Sequence, residues 1–466
     1  MAEASPRASL LRTALPTGAG VVLMLACVGP LRNQWTAGDW PAARAADAKP
    51  LFLAARAVKL GADPLDPAVL QTLAGQAGMR EGGGAGAVRT NDPRRGADKG
   101  GAYASMYPVT AAVLLQPLKP DHWADFVARF RKLGFGLLLT GAAAAGAAGA
   151  RRPGTATLGA SLGLATVLCI APSVSEMVGV GQANVHVAGL TGLSLGLLAM
   201  GWTGLFGALA VIGGGLKLLP LGMLAPAAAG RHWRALGVAG IAACGLLLVA
   251  SSVAPLSTMA ADVLESIRYQ SAVAPKWVLR DAPRPAFVLF HLRQLPLGAA
   301  TAALALALLA PHKLRMRRPD RVWWRSFFGR PAPTANVVAA ATLTAAWMAV
   351  LGAGSQRIYA VLQVPVWAWL AGSVVAPGLR WPGRVVAALL AMVVLLPRSI
   401  DATGIAGWDG RAVVLLCAWL AWAAVAGRCV VHGWDDWGWG RRVGALGVLA
   451  WLAGLGVWWS RLAPLG

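Results

Sequence analysis

Asp47, Gln182, Asn184 and Lys217 carry side chains suited to chemistry beside a membrane. Lys217 stands between Leu216 and Leu218, just ahead of Pro220, at the end of an otherwise apolar stretch that opens at Gly181. A lysine at the centre of a lipid-buried helix costs roughly 3 kcal/mol on insertion scales. It therefore either snorkels to an interface or serves a function there. Gln182 and Asn184 begin the same stretch, where asparagine also commonly caps a helix. Glu176 is a second carboxylate just ahead of them. His291, Arg293 and Arg357 fall near the ends of later apolar runs.

A carboxylate such as Asp47 can take the proton from an attacking hydroxyl. Fixed cations can stabilise charge developing on a departing phosphate, and low dielectric makes them count for more. One acid with several cations thus suits group transfer from a lipid phosphate. Side chains would supply the positive charge, so the reading needs no metal and no cofactor. Each residue also has a plainer role open to it. Asp47 has Asp39, Asp63 and Asp66 as neighbours and rivals, all fit to be solvated loop acids. His291 and Arg293 can equally anchor a helix end, and His186 has no second metal ligand in sight.

The elements that must position these residues are membrane helices. The chain has 466 residues, 57% hydrophobic and 13% charged, with a mean hydropathy of +0.59. Apolar runs of about 17–25 residues each suffice to cross a bilayer. The fold class is therefore an all-α polytopic membrane protein, with about 11–13 transmembrane helices and a structured first external loop. The formal charge of +23 would suggest nucleic acid in a soluble protein. Here much of it lies between apolar runs, where Lys and Arg set topology and meet anionic head groups. Membrane lipids, and no nucleic acid, are the expected partners. The five cysteines fall in or beside apolar runs without metal-site spacing, so no disulfide framework is expected.

The chain reads as one integral membrane domain over residues 1–466. A first span, about 14–31, is expected to be a retained anchor. An external loop, about 32–132, follows, and the rest of the bundle occupies 133–466. Within the loop, Leu51, Ala54, Ala55 and Val58 have helical spacing, punctuated by Gly61 and Pro64. Residues 122–135 read as an interfacial amphipathic helix ahead of a second span at about 133–150. The Gly-rich segment at 80–101 follows no strand and is not a phosphate loop. A third span, about 155–172, leads to an outer turn at 173–184. The fifth span is expected to break at Gly213–Gly215, and a sixth to return to Arg231–Arg234. Parity then puts Lys217 on the same outer face as Asp47.

Three motifs in order carry a resemblance. The first is Asp47 in the external loop, followed by an apolar helix and Gly61–Pro64. The second is Tyr107–Pro108, with Val109 where a second proline would stand, then Pro117. The third is Gly181, Gln182 and Asn184, one hairpin, then Lys217, Pro220 and a basic RHWR stretch at 231–234. Over roughly residues 14–240 the chain resembles the GT-C glycosyltransferases of family 87, which include polyprenyl-phosphate-mannose-dependent mannosyltransferases. The family's histidine motif in a later outer turn is absent; GSQRIYAVLQVP, with Arg357, stands in its place.

The resemblance implies a membrane-embedded hexosyltransferase of the cell envelope, facing the outside of the inner membrane. It would move mannose or a similar sugar from a polyprenyl-phosphate donor to a lipid or glycan hydroxyl, with inversion. Asp47 would match the catalytic base. Lys217, with Arg357, Arg293 and His291, would serve the donor phosphate. Gln182, Asn184, Tyr107 and Glu176 would line the substrate pocket. A transporter or flippase of a lipid-linked or anionic substrate is the alternative from another class, although no internal repeat supports it.

Overall fold

Backbone polar groups cannot find water in lipid, so apolar runs must satisfy them internally as helices. The computed structural model describes residues 6–36, 41–42, 45–79, 107–150, 153–169, 171–264, 337–338, 341, 361–362 and 364–375. Among these residues every regular element is helical. The protein is an all-α membrane protein. Among the described residues, three helical stretches are long and apolar enough to cross a membrane: Ala14–Asn33, Trp123–Ala150 and Trp233–Ser251. Shorter apolar helices pack among them. His291, Arg293 and Arg357, most residues of the expected later spans, and the 80–101 segment lie outside the described residues.

Helix α1, Pro6–Thr36, is longer than the expected first span. The external loop then forms α2, Lys49–Lys59, and α3, Pro67–Gln76. Of the residues whose spacing predicts α2, Leu51, Ala54 and Ala55 are in the core and Val58 is half-buried, while Phe52 and Leu53 are buried as well. Gly61 ends it in a left-handed turn (φ +68°). A short helix α4, Val109–Leu114, follows Pro108.

Helix α5, Trp123–Ala150, corrects the reading of residues 122–135 as a separate interfacial helix. It is continuous because Phe126 and Phe130 are buried, as is Arg131, and neither Gly134 nor Gly136 interrupts it. Next come α6, Pro153–Cys169, and α7, Ala171–Gly179, so Glu176 sits on a helix rather than in a loose turn. Helices α8, Asn184–Ala199, and α9, Thr203–Leu216, form a hairpin.

The register of α5 against α8 is parallel. Gly134 faces His186, Gly141 faces Gly189 and Gly192, and Ala144 faces Gly196. A methyl at Gly141 would overlap the Gly189 backbone. Small residues let the two backbones approach, the usual basis of helix association in lipid.

Helix α9 does not break at Gly213–Gly215, as expected, but runs through them to Leu216. Those glycines face Pro220, Leu221, Leu246 and Leu114, so they make room rather than end the helix. The end comes at Lys217, whose backbone is extended (φ −156°, ψ 130°).

The chain returns through a 3-10 turn, Leu219–Met223, and a short helix α10, Leu224–Ala229. Together they cover about 19 Å, against about 21 Å for α9. Helix α11, Trp233–Ser251, then runs parallel to α9. Arg234 and Val238 lie near Gly204, and Leu246 near Gly215. Lys217 and the 231–234 basic stretch are thus at opposite ends of the bundle. A last described helix, α12, Val364–Val374, packs its Trp369 and Gly372 against Gly149 and Gly146 of α5.

Candidate active site

The turn joining α7 to α8 brings distant parts of the chain together. Asp47 lies in a 3-10 turn, Ala46–Ala48. Its backbone N–H donates to the Val180 carbonyl at 3.0 Å. Gly181 follows with φ +70°, and a Cβ there would come 2.7 Å from the Ala48 Cβ. Glycine therefore serves two needs: the left-handed turn and the close approach of the 45–48 segment.

Two side chains of this turn divide the polar work. Gln182 Nε2 donates to Asp47 Oδ2 at 2.6 Å. Gln182 Oε1 accepts from the Tyr107 hydroxyl at 3.0 Å. Asn184 Oδ1 accepts from Lys217 Nζ at 2.6 Å. The capping role open to Asn184 from sequence is not the one seen, because α8 starts without a side-chain cap. Thr110 Oγ1 donates to the Gly215 carbonyl at 2.8 Å, tying α4 to the last turn of α9 beside Lys217.

Asp47 is half-buried and belongs to the loop, outside the membrane-spanning segments. Burial pushes its carboxyl above the usual carboxylate range. The Lys217 charge and the Gln182 hydrogen bond pull it partly back. Two of its sequence rivals have other work: Asp63 accepts from the Leu65 N–H, and Asp66 caps α3 through the Ala68 N–H, both at 2.8 Å. Asp39 lies outside the described residues.

Arg131 is the residue that sequence reasoning missed. It was one of several cations in an amphipathic pattern, yet it is 7% exposed. Its Nε donates to the Val178 carbonyl at 3.2 Å and its Nη2 to the Gly179 carbonyl. The Val178 carbonyl also accepts from the Gly181 N–H at 3.1 Å, so the guanidinium adds a donor to it, supplies one to the Gly179 carbonyl, and complements the helix dipole. It fixes the backbone on which Asp47 hangs. Glu176 is exposed on α7, apart from this cluster of buried contacts. His186 is buried, its ring 4.0 Å from that of Phe130, and the described residues supply neither ring nitrogen with a hydrogen-bond partner. No group of three metal-ligating side chains occurs among the described residues.

The arrangement places one carboxylate and one ammonium at the same end of the bundle, held by a single turn. It can accept a proton at Asp47 and hold an anion at Lys217. Comparison with curated proteins and with solved structures finds no match. The family model of Glycosyltransferase family 87 matches residues 106–329. Tyr107, Gln182, Asn184 and Lys217 fall within that region, and Asp47 precedes it. Residues 106–329, a little under half of the chain, thus match a glycosyltransferase family 87 domain of the GT-C type, which supports a membrane glycosyltransferase.

Proposed function

We propose that the chain transfers a sugar, mannose or a similar hexose or pentose, from a polyprenyl-phosphate donor to a lipid or glycan hydroxyl. The reaction takes place on the outer face of the inner membrane and inverts the anomeric carbon. The acceptor hydroxyl gives its proton to Asp47. Its oxygen attacks the anomeric carbon in line with the phosphate, and the bond from that carbon to the phosphate oxygen breaks. Lys217 holds the departing phosphate, where a fixed cation acts in low dielectric.

The observation that carries this reading is the convergence of Asp47 and Lys217 on the two side chains of one turn. A base and a cation for an anionic leaving group are what the reaction requires. The test is transfer from a panel of radiolabelled polyprenyl-phosphate sugars by the purified protein and by Asp47→Asn. Transfer by the wild type that is lost in the variant, with donor binding retained, supports both the reaction and the base. Absence of transfer with every donor would overturn the reading.

A further inference from the structure

Gln182 and Tyr107 entered the sequence reading as lining of a substrate pocket, but their hydrogen bonds point elsewhere. Gln182 spends its Nε2 on Asp47 Oδ2 and its Oε1 on the Tyr107 hydroxyl. An ionised carboxylate only accepts, so it takes the Nε2 end of the amide, and the Tyr107 hydroxyl donates to the Oε1 that remains. The Tyr107 bond therefore anchors the far end of the amide in the orientation the carboxylate requires. Both residues are 7% exposed, so little water is at hand to replace either bond. Among the described residues, no hydrogen bond engages Asp47 Oδ1.

We propose that Gln182 and Tyr107 are positioning residues for Asp47: Gln182 occupies Oδ2, Tyr107 locks the amide, and Oδ1 is the oxygen left to take the acceptor's proton. This rests on the reading of Asp47 as the base. Gln182 holds the carboxylate plane and keeps its ionised form supplied with a donor. Tyr107 has no part in the reaction except through Gln182. Without its hydroxyl the buried Oε1 loses its anchor, the amide donor is held less firmly on the carboxylate, and the protonated acid gains. Lys217 is the other charged group that acts on Asp47. It reaches the site from α9, so variants at 182 and 107 leave it in place.

The experiment uses the full-length protein in lipid nanodiscs with Gln182→Ala, Tyr107→Phe and the double variant. Two readouts are followed across pH: kcat/KM for sugar transfer, and the infrared carboxyl signal of Asp47, taken as the difference from Asp47→Asn. Gln182→Ala is expected to lower kcat/KM by roughly 10- to 100-fold, the scale of one hydrogen bond to a charged group. It should also move the acid limb of the pH profile, and the infrared titration with it, to higher pH. Tyr107→Phe should shift both in the same direction by less, with KM for the donor little changed.

The double variant should match Gln182→Ala alone, because Tyr107 acts through it. Losses that multiply would mean that Tyr107 contacts substrate, and the proposal would fall. An infrared titration unmoved in Gln182→Ala would overturn it too. If the titration shifts as expected while the wild type transfers no sugar, the positioning stands and the reaction assignment fails.

Discussion

The N–H of Asp47 is bonded to the carbonyl of Val180, so the proposed base hangs from the same turn whose Gln182 side chain engages it. Gly181 is the point at which that turn bends. Replacing it with alanine forces a side chain into the left-handed region, at about 1–2 kcal/mol, and presses a methyl onto Ala48. Gly181→Ala should lower the melting temperature in detergent and reduce sugar transfer. A variant with wild-type melting and turnover would show that the 45–48 segment is not held there.

Arg131 supports the turn from the other side. Arg131→Met takes the charged donor from both carbonyls and leaves Gly179 without the one described for it, while Val178 keeps the Gly181 N–H, a loss of about 1.5–3 kcal/mol for a charged hydrogen bond. Arg131→Lys should restore little, since an ammonium lacks the fork that reaches two carbonyls. Thermal melting of both variants beside the wild type checks this. Full recovery in the lysine variant would reduce Arg131 to a simple charge.

The acid limb of kcat/KM should lie above the pH expected of an ordinary aspartate. As the proposed base Asp47 works in its ionised form, so activity is expected to be complete above its folded pKa and lost as pH falls through it. Burial raises that pKa, so the loss begins at higher pH. The same shift means the folded chain binds this proton more tightly than the unfolded one. The stability Asp47 contributes is present below its unfolded pKa and is lost as pH rises through the folded value. Asp47→Asn should therefore be inactive yet melt no lower than wild type at neutral pH. Melting curves against pH, run beside the rate profile, test both signs.

Lys217→Met should cut kcat/KM for the donor by about 100-fold, the scale set by removal of one transition-state donor. Lys217→Arg keeps the charge and should retain part of it. Steady-state kinetics with donor varied would decide the matter. Unchanged kinetics in Lys217→Met would leave the lysine as an interfacial anchor.

The local parts of this architecture were legible in the sequence. Leu51, Ala54, Ala55 and Val58 foretold α2 because their period is helical, and alternation of spans put Lys217 at the same face as Asp47. What stayed hidden depended on tertiary packing. Arg131 looked like its neighbours Arg129 and Lys132, because an amphipathic pattern does not say which cation turns inward. Gly213–Gly215 read as a break because glycine weakens isolated helices; against Pro220 and Leu246 the same residues provide space. The partners of Gln182 and Asn184 emerge only when the α8–α9 hairpin and two loop segments are folded together.

The parallel register of α5 and α8 has a consequence for depth. With His186 beside Gly134, the start of α8 lies about 14 Å in from the N-terminal tip of α5. At 28 residues, α5 is about 42 Å long, the thickness of a bilayer with both head-group layers, whose hydrocarbon portion is about 30 Å. An α5 that fills this thickness sets the Asn184–Lys217 pair several ångströms beneath the hydrocarbon boundary. An anion docking there must sink out of the head-group plane while its tail stays in the leaflet. Acyl-chain length in the host bilayer then becomes a lever on catalysis, because it sets how far the anion must descend.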